Sequence, residues 1–259
     1  MKTLKFILFF IFFIGSTNLF SQFISKKNYP VKVPRYSITF TGGYGYVFGS
    51  ASGDVKDFLT NYGTQPGVIF RPENLGMKSG FGLETKGRYA LGKKKKFRVT
   101  GSLGYNLFYN TQNGGRNRTK WSIFNLGAGM EYSFTPKQKE RVFTGLELNY
   151  NLMFGAWQSD IRYPDNSLSN IYTKFLPASR LGLTAIAGME FRLNKKMDLS
   201  VGIKGVWVNA FPKRNFYIED GYETYVNDSK NYDGIEFKSS KQIIYFQVVA
   251  GITLPLSYK

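Results

Sequence analysis

Four glutamates lie in stretches where polar and apolar residues alternate, and each could meet basic residues of similar stretches. Carboxylates that face each other can serve as general acid and general base. Carboxylates matched with Lys and Arg can instead form ion pairs inside a fold. We favour ion pairs, because all these residues fall on the polar side of their stretch, and we predict an interior network without any catalytic residue. Its predicted members are Glu84, Lys86, Arg88, Arg98, Glu131, Glu147, Glu190, Arg192 and Lys204.

The residue types that the chain lacks exclude other chemistry. It has no histidine, the side chain that titrates near neutral pH without perturbation. It has no cysteine, which excludes disulfides, thiol catalysis and cysteine-ligated metals. We predict neither a cofactor nor a metal site.

One acidic cluster could bind calcium, but its spacing matches no calcium-binding loop, and a solvated loop is the better interpretation. The cluster consists of Glu219, Asp220, Glu223, Asp228, Asp233 and Glu236.

The alternation of polar and apolar residues predicts the strands that must position the charged residues. In the last stretch every second residue from Ile244 to Tyr258 is apolar, which places these side chains on one face of a strand. The stretch is about twice as long as an ordinary strand and suits the roughly 9–11 residues, plus interfacial ends, of a tilted strand that crosses a bilayer. The predicted strands cover residues 35–49, 77–91, 97–109, 121–134, 141–155, 179–193, 198–211 and 241–256.

Short and long connections alternate between these strands. The short ones are residues 92–96, 135–140 and 194–197, and they are rich in Lys, Asn, Pro and Gln. Outer-membrane barrels combine tight periplasmic turns with long extracellular loops. The pattern therefore predicts an all-β fold, an eight-stranded antiparallel up-and-down transmembrane β-barrel with both ends of the barrel chain in the periplasm. The long connections are predicted at residues 50–76, 110–120, 156–178 and 212–240.

The two faces of the strands predict which side points inward. One face carries large apolar residues such as Phe40 and Leu146, whereas the other carries small or charged residues such as Gly127 and Glu131. An eight-stranded barrel is too narrow to hold so many large apolar side chains, so these must face lipid. Aromatic residues near the strand ends are predicted to form two interfacial belts. They are Tyr46, Phe48, Tyr109, Trp121, Phe154 and Trp207 towards the long loops, and Tyr36, Tyr89, Phe97, Phe134, Phe143 and Tyr258 towards the short turns.

The N-terminus has the organisation of a secretory signal peptide. Lys2 and Lys5 precede a short apolar segment, and a polar stretch follows it. We predict a signal peptide at residues 1–21, a periplasmic N-terminal segment at residues 22–34 and the barrel at residues 35–259.

The net charge of +18 raises the question of nucleic-acid binding. Without the two signal-peptide lysines, 33 basic residues face 17 acidic ones, which leaves +16. Much of the excess lies in the predicted short turns, at Lys93–Lys96, Lys137–Arg141 and Lys195–Lys196. A nucleic-acid surface would instead line one groove and interleave exposed aromatic residues. We therefore predict no nucleic-acid partner and assign the cationic turns to the anionic headgroups of outer-membrane lipids.

The signal peptide, the alternating strands, the tight turns and the closing strand Gly251–Tyr258 together resemble the small bacterial outer-membrane β-barrels of the OmpA and OmpX type. In that family the last strand often ends in Phe or Trp and is recognised by the barrel-insertion machinery. Here Tyr258 precedes Lys259, and Pro255 interrupts the strand. The resemblance implies an outer-membrane location, insertion through the last strand, and an unidentified extracellular ligand at the long loops.

Three functions stay open at this point, and the first is the leading one. The first is a non-enzymatic barrel that displays four long loops and serves envelope integrity, adhesion or another surface interaction. The second is a narrow pore or a transporter for small solutes or lipids, which would need a continuous lumen. The third is an enzyme that acts on lipid or peptide, which would need a site at the loop rim. Enzymes among the small outer-membrane barrels depend on a histidine as base, so the resemblance does not imply an enzyme for a chain without histidine.

One ion pair follows from the predicted strand register. If residues 194–197 form the turn between the sixth and seventh strands, Leu193 pairs with Leu199 and Glu190 lies opposite Gly202. Diagonal neighbours about 7–8 Å apart are within reach of long side chains. We therefore predict a Glu190–Lys204 ion pair in the lumen.

Overall fold

Long antiparallel strands account for most of the chain in a computed structural model. The residues that it describes are 32–53, 74–112, 117–162, 168–211, 213, 223–226, 231–232, 235–236 and 241–257, and all of them belong to the compact unit Lys32–Lys259. Four features that the sequence predicts lie outside the described residues. They are the signal peptide at residues 1–21, the segment at residues 22–31, the aromatic ring of Tyr258 and the side chains of the acidic cluster.

The described strands and the short helical turn follow one another without long helices. No helix among the described residues has the length and apolar character needed to cross a membrane. The elements are β1 (Tyr36–Phe48), a 3₁₀ turn (Gly49–Ala51), β2 (Ser79–Ala90), β3 (Phe97–Gln112), β4 (Asn117–Ser133), β5 (Glu140–Arg162), β6 (Leu168–Arg192), β7 (Asp198–Trp207), β8 (Glu223–Tyr225), β9 (Asn231–Tyr232), β10 (Ile235–Glu236) and β11 (Ile244–Ser257).

Eight of these strands close into a ring. Each strand from β1 to β6 pairs antiparallel with the next one in the chain, β7 pairs with β11, and β11 pairs with β1. Neighbours in sequence are therefore neighbours in space, which is the up-and-down arrangement. The structure confirms the predicted eight-stranded antiparallel barrel.

The alternation of the sequence becomes the outer and inner faces of the barrel. Large apolar side chains point outward and stay exposed: Leu83, Leu146 and Val248 each have 69% or more of their surface uncovered. Charged side chains of the same strands point inward, and Lys86 and Glu131 are at most 2% exposed. This is the reverse of a water-soluble barrel, whose apolar face is inside, and it is the arrangement that a lipid surrounding requires.

The connections differ from the prediction at two places. Strands β3 and β4 pair as far as Gln112–Asn117, and β5 and β6 pair as far as Arg162–Leu168. The predicted long loops at residues 110–120 and 156–178 are therefore wrong, because most of these residues belong to strands. Apolar residues alternate only in the part of each strand that faces lipid, whereas the backbone pairing between the strands continues beyond that part. The three short turns lie where the sequence predicts them.

Two prolines coincide with irregular pairing. Pro177 lies in β6 beside a register shift, where the ladder passes from Met153–Ala178 to Gly155–Phe175. Pro255 lies in β11 at a second shift, beyond the last β7 partner of that strand. Proline cannot donate a ladder hydrogen bond and is tolerated at bulges and unpaired edges. The interruption at Pro255 is therefore compatible with a closed barrel.

Two members of the predicted aromatic belts point inward instead. Trp121 is fully buried and Phe143 is 2% exposed, both inside the barrel. The belt prediction is wrong for these two, because each shares its parity with the inward residues of its own strand. Trp121 is in phase with Glu131, and Phe143 is in phase with Glu147. The belt residues Tyr46, Phe48, Tyr109, Trp207, Tyr36, Phe97 and Phe134 are exposed on the outer face.

Candidate functional site

The barrel interior is the candidate functional site, and it has three levels. The charged layer lies towards the short turns. Its members are the nine predicted network residues together with Arg141 and Asp198. The amide row, Asn106, Asn125, Asn151 and Gln247, crosses the middle. The apolar plug lies towards the long connections. It comprises Val47, Ala51, Leu75, Met77, Phe108, Trp121, Ile123, Met153, Trp157, Phe175, Ala178, Val206, Val208, Val226, Ile243 and Tyr245.

Glu131 is the carboxylate at the centre of the charged layer. Its oxygens lie 2.8 Å from Arg88 Nε, 2.8 Å from Arg98 Nη2 and 3.6 Å from Lys86 Nζ. The cations come from β2 and β3, and the carboxylate comes from β4. A buried carboxylate loses its hydration, and close cations are what makes the ionised form tolerable there.

Lys86 and Glu147 continue the network along the barrel wall. Lys86 Nζ lies 2.8 Å from Glu147 Oε1 and 3.5 Å from Glu84 Oε1. Glu147 also accepts hydrogen bonds from Thr100 Oγ1 at 2.9 Å and from Ser102 Oγ at 3.0 Å. Its ionised form therefore has both a cation and two hydroxyl donors.

Glu190 is bound by three arginines of three different strands. Its carboxylate oxygens lie 3.0 Å from Arg98 Nη1, 3.3 Å from Arg88 Nη1 and 3.2 Å from Arg141 Nε. Lys204 pairs instead with Glu84. The predicted Glu190–Lys204 pair is therefore wrong.

The cause of that error is the strand register. Phe191 pairs with Leu199, and Glu190 lies opposite Ser200 instead of Gly202. Lys204 consequently lies further along the barrel than predicted, opposite Ile186. The last ladder pair is Arg192–Asp198, so the hairpin is shifted by one residue in each strand from the predicted Leu193–Leu199 pair.

Two network members escaped the sequence prediction. Arg141 pairs with Asp198 as well as with Glu190, and Asp198 also pairs with Arg192. Both have the parity of the inward residues of their strands, and this parity is the sequence signal that identifies them. Arg141 follows the turn lysines Lys137 and Lys139 in the sequence, but it is only 3% exposed. The structure brings all nine predicted residues and these two into one continuous set of ion pairs.

The amide row connects strands on opposite sides of the barrel. Gln247 Nε2 donates to Asn106 Oδ1 at 2.8 Å, Asn106 donates to Asn125, Asn125 donates to Asn151, and Asn151 Nδ2 donates to the Val208 carbonyl at 2.7 Å. Gln247 can reach Asn106 only because Gly82 has no side chain. A Cβ at this glycine would lie 2.2 Å from Asn106 Oδ1 and 2.8 Å from Gln247 Nε2.

The apolar plug includes residues from the first long connection as well as from the strands. Leu75 and Met77 are buried against the barrel interior. Trp121 Nε1 donates to the Leu75 carbonyl at 2.7 Å, and its ring stacks on Phe175 with centroids 4.5 Å apart. Asn110 Nδ2 donates to the Gly53 carbonyl at 3.1 Å. These bonds hold both ends of the connection inside the rim.

The chemistry available in this interior is limited by pairing. Every carboxylate of the charged layer has at least one cation within 4.0 Å, so none is an uncommitted base. Within the described part of the chain, no three His, Cys, Asp or Glu side chains are grouped so that they could hold a metal ion. The arrangement is suited to filling a barrel.

Comparisons with known proteins give a loose similarity of structure. No family model and no curated protein matches the chain. Among solved structures, Neisserial surface protein A aligns over 85% of this chain and 97% of its own, with 13% identity and a TM-score of 0.45. Ail of Yersinia pestis, in complex with the heparin analogue sucrose octasulfate, aligns over 85% and 99%, with 11% identity and a TM-score of 0.37. The outer membrane protein OprG from Pseudomonas aeruginosa aligns over 87% and 97%, with 14% identity and a TM-score of 0.38. At these scores nothing about the partners of this chain follows from the similarity.

Proposed function

We propose that this chain is a non-enzymatic outer-membrane β-barrel with a closed interior, whose strands carry a protruding sheet that makes contacts outside the cell. The observation that carries this proposal is the extension of four strands beyond the rim of a filled barrel. We define the extension as residues 110–112, 117–120, 155–162 and 168–178 of β3, β4, β5 and β6. Its inward residues Trp157, Phe175 and Ala178 belong to the apolar plug, and its outer face is the part that protrudes.

The membrane location rests on the outer face of the barrel. Large apolar side chains cover it and are exposed, and aromatic residues lie near the strand ends. A continuous apolar surface of this kind is incompatible with water and compatible with lipid. The inward side chains of the charged layer are polar instead, so only the outer face of the barrel is suited to contact with lipid.

The extension is built by unequal strand lengths. Strand β7 ends where Trp207 pairs with Leu183, whereas β6 continues to Leu168. Strand β8 adds in parallel to the free side of β6 at Lys174–Leu176. A sheet formed by β3, β4, β5, β6 and β8 thus continues beyond the rim. A barrel confined to the membrane would need only loops there.

The outer face of the extension presents cations and aromatic rings in register. One row runs from Tyr109 to Lys120, Ala156 and Lys174 on successive strands, and Tyr172 lies in the next row. Tyr109, Lys120, Tyr172 and Lys174 are all exposed. Arg118 is exposed beside them. Such a surface fits a negatively charged partner that also offers flat groups for stacking.

The pore alternative is less well supported by the interior. A solute would have to pass the paired charged layer, the amide row and the apolar plug in turn. Large side chains of all three levels meet across the lumen. A permanent passage would need these contacts to break, so the display function accounts better for the arrangement.

Orientation is tested by labelling single cysteines, which is straightforward because the chain has no native cysteine. On intact cells, a membrane-impermeant maleimide should label Thr111→Cys on the extension and leave Lys94→Cys in the first short turn unlabelled until the cells are opened. Labelling of Lys94→Cys alone on intact cells would show that the barrel is inserted the other way round.

The surface interaction is tested by removing the cations of the extension. Cells with Arg118→Gln, Lys120→Gln and Lys174→Gln should adhere less to surfaces coated with an acidic polysaccharide than wild-type cells do. The matched control is Lys93→Gln, Lys94→Gln and Lys196→Gln, which removes the same charge from the short turns. Equal adhesion of all three strains would refute the surface-interaction proposal.

A further inference from the structure

The mouth of the barrel at the short turns is a pocket with an excess of positive charge. Residues of seven barrel strands line it, and its charged members are Arg35, Arg88, Lys95, Arg98, Arg141 and Glu190. Glu190 is the single carboxylate among them, and it is already bound by three of the arginines. Glu131 and Asp198, which do not line the pocket, also pair with these arginines. Three carboxylates therefore face the five cations, and an excess of positive charge remains.

The surroundings of the mouth add to that charge. The three short turns contain the lysines Lys93–Lys96, Lys137, Lys139, Lys195 and Lys196. The turns and the first residue of each following strand, at 91–97, 134–140 and 193–198, contain two acidic residues, Glu140 and Asp198. Asp198 is already paired with Arg141 and Arg192. Clusters of one sign of charge around a concave site attract ligands of the opposite sign and raise their local concentration.

Two donors in the pocket have no hydrogen-bond partner among the described residues. Ser133 Oγ and Arg98 Nε are both buried, and neither forms a hydrogen bond within this part of the chain. Ser133 is 2% exposed and Arg98 is 7% exposed. They come from adjacent strands, because Arg98 pairs with Glu131 two residues before Ser133. Buried donors are nearly always satisfied in native proteins, so two unsatisfied donors on residues that line a cationic pocket point to an acceptor that binds there.

We propose that this mouth binds an oxyanion group, a carboxylate or a phosphate, which accepts hydrogen bonds from Ser133 Oγ and Arg98 Nε. The guanidinium groups of Arg88 and Arg141 supply charge behind it, and Lys95 lies at the rim. Lys95 Nζ donates to the Val33 carbonyl at 2.8 Å, so the ammonium is held at the mouth. Burial and the nearby charges of Arg35 and Lys32 keep the pKa of Lys95 below its ordinary value. An added anion would relieve this repulsion.

The first test uses Ser133→Ala, Lys95→Gln and the matched control Lys94→Gln in detergent-solubilised protein. Calorimetric titrations at constant ionic strength use inorganic phosphate and acetate as free anions and a short-chain phosphatidic acid as the lipid-borne phosphate. Ser133→Ala should weaken binding about tenfold, since a hydrogen bond to a charged group is lost. Lys95→Gln should weaken it by about threefold, as expected for one partly screened charge. Lys94→Gln, an exposed neighbour in the same turn, should change it little.

The same variants separate a ligand site from a merely structural role. Without an anion, Ser133→Ala should unfold at the wild-type temperature or slightly above it, because the hydroxyl has no partner to lose. Binding of the free anions identifies a small-ion site, whereas binding of the phosphatidic acid alone identifies a lipid headgroup. Anion affinity that is equal in wild type, Ser133→Ala and Lys95→Gln would overturn the proposal. A fall in unfolding temperature for anion-free Ser133→Ala would also contradict it, because the hydroxyl would then have a partner within the protein.

Discussion

The two ends of the barrel interior are filled by opposite kinds of side chain. In the charged layer, eleven charged groups are matched with each other across the strands, and Glu131 and Glu190 are each 1% exposed. In the apolar plug, aromatic and aliphatic side chains such as Trp121 and Phe108 pack without charge. Between them, the amide row supplies neutral polar contacts.

This difference shows that the interior of one narrow barrel can be closed by two kinds of interaction, ion pairs and apolar packing, which respond differently to mutation. An apolar plug loses packing in proportion to the atoms removed. A buried charged layer reacts most strongly to the loss of one partner, because the others stay charged and buried. The charged layer therefore favours the one strand arrangement in which its charges are paired. The apolar plug closes the other end of the barrel.

The largest expected effect is the removal of the central carboxylate. Glu131→Gln leaves Arg88 and Arg98 without their shared partner and should destabilise the barrel by about 3–5 kcal/mol. Glu84→Gln is the control at the edge of the layer, where the carboxylate is 10% exposed and water can reach it. Its cost should be about 1–2 kcal/mol. Urea unfolding in lipid vesicles measures both, and equal costs would contradict a dry, cooperative layer.

The amide row should be the next most sensitive. Asn125→Ala leaves Asn106 and Asn151 with unmatched groups and should cost about 2 kcal/mol. Asn149→Ala, which removes one bond to Thr184, should cost about half as much. Thermal unfolding in detergent compares the two, and a larger loss for Asn149→Ala would show that the row is not continuous.

The strand register gives a smaller and sharper test. A double-mutant cycle between Glu84→Gln and Lys204→Met should give a coupling energy of about 1–2 kcal/mol, since these two side chains form an ion pair. The cycle between Glu190→Gln and Lys204→Met should give a coupling close to zero. A reversal of these two results would restore the register predicted from the sequence.

The smallest effect concerns the bond between the plug and the first long connection. Trp121→Phe keeps an aromatic ring but loses the hydrogen bond to the Leu75 carbonyl, and it should cost about 1 kcal/mol. Trp207→Phe is the matched control, because its indole nitrogen donates to Gln242 at an exposed site. The control should change the unfolding temperature less, and an equal change would mean that the connection is not held by this bond.

Much of the barrel could be predicted from alternation alone. The period of two places Leu146 outside and Glu147 inside, and it does so for every membrane-spanning strand. The same parity applied consistently would also have placed Trp121, Phe143, Arg141 and Asp198 in the interior. For these four residues the residue type suggests a belt or a turn position, whereas the phase of the strand gives the correct inward position.

Other features could not be read from the sequence. The extension of β5 and β6 has no apolar face towards lipid, and its inward apolar residues, such as Trp157 and Phe175, are too few to give a periodic signal. The Glu190 partners depend on the Arg192–Asp198 register, and a hairpin of Lys and Asn residues does not determine where the ladder ends. The burial of Leu75 depends on a connection folding back into the rim, a tertiary contact without a local pattern.

The central claim is that the barrel interior is closed, and ion conductance tests it most directly. Purified protein reconstituted into a planar lipid bilayer should give no steady current steps under applied voltage, because the charged layer, the amide row and the apolar plug fill the lumen in series. Correct insertion is verified in the same preparation by the slower migration of heated protein on gels. Stable, ohmic single-channel steps from inserted wild-type protein would contradict the closed barrel and favour the pore.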